Sequence, residues 1–416
     1  MKIALFTEIY DCGGVDTFIL NLVNSWPVKD DSFVIIANSN YPGLRIIEEK
    51  MTRSCEVIRH KVPIYSNLLS RNIFLKIVRE ATSPVLRYLL LFYNVVAFRK
   101  ILLKTNSDVL MVINGGYPGG DSCRAATISW GMFSGKSKSI HNFHSLPQKP
   151  RFYLRLQEYA IDWLLCWLTS QFVTVSKAAA ESISLRPAIF KRHITSYIYN
   201  GIKVNDTSSL MARNNIKNEI GIDASSHLCL MLSTYDKGKG HFFLLDAFKK
   251  VITEIPDAHL LICGYGSAEA KNKVARYAEE LRLDGRVHLM GFRTDISHLL
   301  ANTDVLVVPS QAYESFGITS VEAMAFKVPV VATDVGGIPE VVVNNEGGYC
   351  VNRHDVDSYA RCIVKLLKDG CLRREQGDKG YKRYREHFTA KVMASKYAKM
   401  IYMWSNIAMP INATDE

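Results

Sequence analysis

Val305-Leu-Val-Val308, a short loop, and then Glu314-Ser-Phe-Gly317-Ile-Thr-Ser-Val-Glu322-Ala-Met-Ala325 read as a strand, a turn and a helix. Four consecutive apolar residues suit a parallel strand buried on both faces. Gly317 allows the backbone to turn sharply. The amides of Gly317, Ile318 and Thr319 then point out of the new helix's N-terminus, where free N–H groups and the positive end of the dipole suit a phosphate. Glu322 lies about one turn further in and can accept two hydrogen bonds from a ribose diol. Glu314, on the loop, can reach hydroxyls beyond the phosphates. Alone, the pattern is equally well read as a helix with favourable acids near its start.

The unit is repeated along the chain. Apolar runs recur at Ile3–Phe6, Phe33–Ala37, Val109–Ile113, Phe172–Val175, Leu228–Leu232, Leu260–Cys263, Val287–Met290 and Val328–Ala332. Helical patterns lie between them. Val15, Phe18, Ile19, Leu22, Val23 and Trp26 share one face, and so do Phe242, Leu245, Phe248, Val251 and Ile252. Strands alternating with helices predict an α/β protein built from doubly wound parallel sheets. The alternation lapses between Asn200 and Ser226, amid Asn200-Gly201, Asp206-Thr-Ser-Ser209 and Gly221, and resumes at Leu228. This predicts domains over residues 1–203 and 204–384, with basic, aromatic helices over 385–416.

The 416 residues are 48% hydrophobic and 22% charged, which excludes disorder and fibrous classes. The formal charge of +11 is uneven. Residues 1–200 carry 24 Lys and Arg against 14 Asp and Glu, and residues 201–416 carry 27 against 26. A basic first half fits an anionic partner or serves solubility alone. Nine cysteines include no C-x-x-C and no zinc spacing, so they read as reduced thiols of a cytoplasmic protein. Met1–Phe6 is too short an apolar run for a signal peptide, and Val85–Phe98, with Arg87 and Asn94, is too short to span a bilayer. Arg59–Lys104 holds nine Lys and Arg and one acid, Glu80, interleaved with apolar residues. It suits either an anionic membrane surface or two core helices with basic outer faces.

Further turns stand after strands, where open α/β sheets bind ligands. Tyr235-Asp-Lys-Gly-Lys239-Gly-His241 offers Lys239 as a point charge for a diphosphate. Gly264-Tyr-Gly266 and Gly336-Gly-Ile-Pro-Glu340 follow two more strands.

The ordered set resembles the retaining glycosyltransferases of family 4, with the two-domain GT-B fold. It runs through Gly13-Gly14 after the first strand, His141-Asn142 after a strand, Phe172-Val-Thr-Val-Ser176, Tyr199-Asn-Gly-Ile202, Lys239-Gly-His241, Gly264-Tyr-Gly266, Gly291-Phe292, the pair Glu314/Glu322 and Asp334-Val-Gly-Gly-Ile-Pro-Glu340. The resemblance implies two Rossmann-like domains facing across a cleft, with the C-terminal helices packed on the first. The first domain would bind the acceptor and the second a UDP- or GDP-linked sugar. It implies that Lys239 stabilises the departing diphosphate, that Glu314 and His141 contact the donor sugar, and that Glu322 holds the ribose. It also implies that Gly317, Ile318 and Thr319 cradle the distal phosphate and that Gly13 and Gly14 line the cleft. It further implies transfer with retention and no metal or other cofactor, a glycan or lipid-linked glycan acceptor, and work at the inner membrane face in polysaccharide or glycolipid synthesis.

One departure stands out. The family places a glycine-arginine pair before the lysine, and Ser233-Thr234 occupies those positions. A bidentate cation is therefore missing at Thr234, and Lys237 is the nearest substitute. An epimerase or a non-catalytic sugar-nucleotide binder of the same fold remains open at this point. Gly264-Tyr-Gly-Ser267 lacks the third glycine of a dinucleotide fingerprint, and Asp355-Val-Asp357 reads as a helix cap rather than a metal triplet. His141 and His144 lack further zinc ligands, Ser176 and Ser310 lack a G-x-S-x-G setting, and no groove-reading motif points to nucleic acid.

Overall fold

The computed structural model describes residues 1–9, 13–65, 73–136, 138–204, 215–405 and 407–410. The chain divides into two compact units, Met1–Gly201 with Ala390–Glu416, and Ile202–Thr389. The parts of the stretch 59–104 and of the boundary region that fall on 66–72 and 205–214 lie outside the described residues.

The first unit is built on a seven-stranded sheet of β1 (Lys2–Thr7), β2 (Ser32–Asn38), β3 (Cys55–His60), β4 (Val109–Asn114), β5 (Ser139–Phe143), β6 (Thr169–Thr174) and β7 (Thr195–Tyr197). Their order is β3-β2-β1-β4-β5-β6-β7, and every pairing is parallel. The connections include α1 (Gly14–Asn24), α2 (Gly43–Lys50), α3 (Ile73–Thr105), α4 (Asp121–Phe133), α5 (Arg155–Leu168), α6 (Lys177–Glu181) and α7 (Pro187–Phe190). The two-residue period of a strand sorts its side chains onto two apolar layers. Ile3 and Leu5 pack with Phe18, Leu22 and Tyr397, whereas Ala4 and Phe6 pack with Leu91, Phe98, Cys123 and Leu165. Continuous apolar strands are what such double coverage requires.

The second unit has β8 (His227–Leu232), β9 (Ala258–Cys263), β10 (Val287–Met290), β11 (Val305–Val308), β12 (Val330–Thr333) and β13 (Gly348–Val351). They form a parallel six-stranded sheet in the order β10-β9-β8-β11-β12-β13. Its helices are α8 (Asn215–Glu219), α9 (His241–Glu254), α10 (Ala268–Glu280), α11 (Ile296–Ala301), α12 (Ile318–Ala325), α13 (Ile338–Val341), α14 (Val356–Lys368) and α15 (Gly370–Arg383). On α9 the buried face is Leu244, Leu245, Phe248 and Val251. Phe242, expected on it, is exposed and lies edge-on to Tyr277 at 5.0 Å. Asp355 caps α14, accepting from the Ser358 amide at 2.8 Å, as the helix-cap reading of Asp355-Val-Asp357 anticipates.

The chain leaves the first unit at Gly201 and re-enters it at Ala390. Ile202 bridges Thr389, and its amide donates to the Phe388 carbonyl at 2.9 Å. The last helix, α16 (Ala390–Ser405), is fastened to the first unit. Asn142 Nδ2 donates to the Tyr397 hydroxyl at 2.8 Å, and the Tyr402 hydroxyl donates to Asp31 at 2.8 Å. Among the described residues no helix is long and apolar enough to cross a membrane.

Candidate functional site

In each sheet the strand order reverses once, between β1 and β4 and between β8 and β11. At such a switch point neighbouring connections depart to opposite sides and leave a crevice beyond the strands' carboxyl ends. In the second unit that crevice lies between the loops after β8 and β11.

The loop after β8 is held from both sides. The Tyr235 amide donates to the Tyr265 carbonyl at 2.9 Å, and its hydroxyl donates to the Met290 carbonyl at 3.1 Å. Across the switch point, the amides of Gln311 and Ala312 donate to the Gly238 carbonyl at 2.8 and 3.0 Å. Gly240 is left-handed, with φ 80°, and a Cβ there would lie 1.8 Å from the Pro309 carbonyl oxygen, so only glycine permits this approach. The result is a direct contact between the two residues given separate roles in the sequence. Lys239 Nζ donates to the Glu314 carboxylate at 2.5 Å. Both side chains remain partly exposed.

The turn after β12 pins the Glu314 backbone. The Gly337 amide donates to the Glu314 carbonyl at 2.8 Å. Gly336, at φ 58°, comes so close that a Cβ would lie 2.0 Å from that oxygen. Gly317 is the left-handed N-cap of α12, and Ile318 and Thr319 open the helix, half-buried. Their amides belong to the first turn, which has no intrahelical acceptors. Glu322 is half-buried one turn on, and its carboxyl makes no hydrogen bond or ion pair among the described residues. Burial raises its pKa to about 7. An unpartnered carboxyl in this position suits the two hydroxyl donors of a diol.

Thr234 carries no charge, is exposed, and spends its hydroxyl on Asp236. Lys237 is exposed beside it. Arg293 is committed within its own unit, with Nε 2.8 Å from Asp295 and Nη1 2.5 Å from Glu219. A residue the sequence reading passed over, Arg353, follows β13. Its amide donates to Asp334 at 2.9 Å and its guanidinium to the Gln311 carbonyl at 3.3 Å, on the loop that docks Gly238. The only sequence signal for it is a cation just past a strand end.

In the first unit, Gly13 and Gly14 open α1, exposed, and a Cβ at either would meet nothing within 4 Å. The Gly13 amide donates to Asp16 at 2.8 Å. Among the described residues no atom there requires glycine, and the open space suits a ligand's approach. His141 corrects an expectation. It stands inside β5 rather than after a strand, and it has no exposed surface. Its ring stacks on Phe172 at 5.7 Å and meets Tyr117 edge-on at 5.6 Å. Among the described residues neither ring nitrogen has a hydrogen-bond partner, and burial next to Arg124 drives the pKa down to about 3. It is a neutral core residue with no surface open to solvent. His144 meets Phe18 edge-on at 4.5 Å, in the opposite apolar layer, so the two histidines cannot share a zinc ion.

The switch point of the first unit has its own concavity of about 570 Å³, lined by Glu8 after β1, Asn114 at the end of β4, Asp121 at the start of α4, and Arg87, Glu158 and Arg186. Its charges are cross-braced. Arg186 is bonded to Asp162 at 2.7 Å and Glu158 at 2.6 Å, and Arg124 to Glu158 at 2.8 Å. Three guanidinium groups, counting Arg87, hold Glu158 ionised, with its pKa lowered to about 2 despite burial.

This architecture is the GT-B fold of glycosyltransferases. A glycosyltransferase from Rickettsia africae superposes with a TM-score of 0.78 at 19% identity, covering 97% of this chain and 98% of that one. An Anabaena protein, HepE, solved in complex with UDP, gives 0.73 at 18% identity, over 97% and 100%. Residues 212–383 match the family described as glycosyl transferases group 1. The N-acetyl-alpha-D-glucosaminyl L-malate synthase of Bacillus anthracis is 33% identical over 187 residues, 45% of this chain and 48% of that protein. The chain thus spans about half the length of this curated relative.

Proposed function

We propose that this protein is a retaining glycosyltransferase that moves a sugar from a UDP- or GDP-linked donor to an acceptor hydroxyl. The observation that carries this reading is the Lys239–Glu314 pair at the switch point, flanked by the α12 amides and the unpartnered Glu322. The donor's ribose hydroxyls donate to Glu322, and the distal phosphate sits on the amides of Ile318 and Thr319. Its oxygens draw the Lys239 ammonium away from Glu314, which is then free to accept from the sugar's hydroxyls.

As the glycosidic bond breaks, negative charge grows on the leaving diphosphate. Lys239 and the helix N-terminus meet that charge with groups already in place. The same phosphate takes the acceptor's proton on the face from which it departs, so configuration is retained and no protein nucleophile is needed. The reading assigns no step to a metal ion or other cofactor. The first unit binds the acceptor, and the concavity at its switch point, whose buried Asp121 and Glu158 are held by Arg87, Arg124 and Arg186, gives a glycan a polar wall. A polysaccharide or glycolipid product fits that lining. A mannosyltransferase of Mycobacterium tuberculosis, named for phosphatidyl-myo-inositol, is 34% identical over 184 residues.

The test is incubation with UDP- and GDP-sugars and a panel of glycan and lipid-linked acceptors, with proton NMR of the product. Transfer with the donor's anomeric configuration kept supports the proposal. Inversion contradicts it, and conversion of the donor without acceptor makes the protein an epimerase. Thr234, bound to Asp236 where a guanidinium is expected, favours one other reading, a sugar-nucleotide binder without turnover. Nucleotide binding with no transfer to any acceptor would establish it.

A further inference from the structure

Helices α3, α4, α5 and α7 cover one face of the seven-stranded sheet through a shared apolar layer that includes Phe98, Trp130, Leu165 and Ile189. Their outer sides therefore lie on the same side of the unit, and those sides are unusually apolar. On α5, Leu156, Tyr159, Trp163 and Trp167 recur at helical spacing and are 88%, 44%, 51% and 49% exposed. On α3, Val85, Leu89, Phe92 and Val96 form a second exposed stripe. Monomeric proteins rarely leave so continuous an aromatic and aliphatic face in water.

Among the described side chains, the exposed charges of α3, α5 and the end of α7 have one sign. Residues 82–104 contain no Asp or Glu, and neither do residues 187–192. The two acids of α5, Glu158 and Asp162, are buried, because Arg124 and Arg186 draw them inward. Outward stand Arg99, Lys100, Lys104, Arg155, Lys191 and Arg192, all exposed. None of the six pairs with a carboxylate among the described residues. Two of them lie over aromatic rings, Arg192 at 4.3 Å from the Trp167 centroid and Arg99 at 4.8 Å from Phe133.

We infer that the outer face of α3, α5 and α7 docks on an anionic lipid bilayer. Tryptophan and tyrosine favour the headgroup level, aliphatic tips enter the acyl boundary, and unpaired cations meet lipid phosphates. A second copy of this chain fits the face poorly. A two-fold contact would set cation against cation with no carboxylate to neutralise them. The inference does not depend on the sugar-transfer reading, since no residue of the second unit enters it.

The test is co-sedimentation of the full chain with vesicles of phosphatidylcholine alone and of equal parts phosphatidylcholine and phosphatidylglycerol, with tryptophan emission read in parallel. Binding only to the anionic vesicles, with a blue shift and weakening in high salt, is expected. Lys100→Glu with Lys104→Glu should lower partitioning by roughly fivefold or more for each cation lost. Trp163→Ser with Trp167→Ser should abolish the blue shift. Both double variants should keep the wild-type melting temperature and nucleotide binding, because the altered side chains are exposed and belong to the first unit. The inference is overturned if anionic vesicles bind no better than neutral ones, or if the folded double variants bind as wild type does. A concentration-dependent dimer that the tryptophan variant abolishes would also overturn it, by making the face a contact between copies.

Discussion

Lys239 Nζ lies 2.5 Å from the Glu314 carboxylate, although the two residues are 75 positions apart in sequence. The contact spans the reversal of strand order between β8 and β11, and the Gly238 and Gly336-Gly337 backbones brace it on either side. In the free protein each charge satisfies the other. In the proposed complex each has a separate partner, phosphate for the ammonium and sugar hydroxyls for the carboxylate.

Lys239→Ala tests that exchange. Turnover should fall by about 10²–10³-fold, the usual loss when one preorganised donor to a developing charge is removed. Folding stability should change by less than about 1 kcal/mol, since the ion pair is partly solvated. Steady-state kinetics and a thermal melt separate the two effects. A large drop in melting temperature with unchanged turnover would make Lys239 structural.

Glu322 gives a prediction in pH. Its pKa is raised from 4.5 to about 7 by burial. Between those values the folded carboxyl keeps a proton that the unfolded chain releases, so rising pH costs stability across that window, and the cost is complete above 7. Glu322→Gln cannot ionise. It should melt as wild type below pH 4.5 and be more stable above pH 7 by on the order of 2–3 kcal/mol. The reverse order, greater stability of the wild type at high pH, would mean that the carboxylate has a cationic partner.

His141→Phe should be tolerated. The ring lies between Phe172 and Tyr117 with two unsatisfied nitrogens, and an aromatic hydrocarbon of similar size fits that slot. The expected change is under about 1.5 kcal/mol, with transfer activity kept. Loss of activity in a protein that melts normally would return His141 to the site.

Thr234→Arg should restore the bidentate cation missing from the loop after β8. A guanidinium on the diphosphate is expected to tighten nucleotide binding by roughly tenfold. Titration of wild type and variant under one set of salt conditions measures it. Unchanged affinity would show that another cation, such as Lys237 or Arg353, already fills that place.

What the sequence made plain, and what it hid, follow from burial. The strands buried on both faces announce themselves as apolar runs, and all nine such runs are strands, two of them with the same bounds and seven with bounds shifted by one to three residues. β3, β5, β7 and β13 escaped. β5, Ser139-Ile-His-Asn-Phe143, carries polar side chains into the core, where Asn142 is met by Tyr397 from α16, 255 residues away. No local pattern encodes that partner, and the same blindness set His141 after a strand rather than within one. The site fared better because glycines mark places where backbones nearly touch. Gly240 and Gly336 are explained by carbonyl oxygens at Pro309 and Glu314. Arg353 had no such marker, and the outward tryptophans of α5 look like core residues until the sheet shows which side of the helix is covered.

Calorimetric titration of the full chain with UDP and with GDP, repeated on Glu322→Ala and Lys239→Ala, addresses the proposed nucleotide site most directly. The structure predicts that one of the two nucleotides binds the wild type, that Glu322→Ala loses about 1–3 kcal/mol of that affinity, and that Lys239→Ala also binds more weakly while remaining folded. If neither nucleotide binds, or if both variants bind as tightly as the wild type, the crevice between β8 and β11 is not where a nucleoside diphosphate sits.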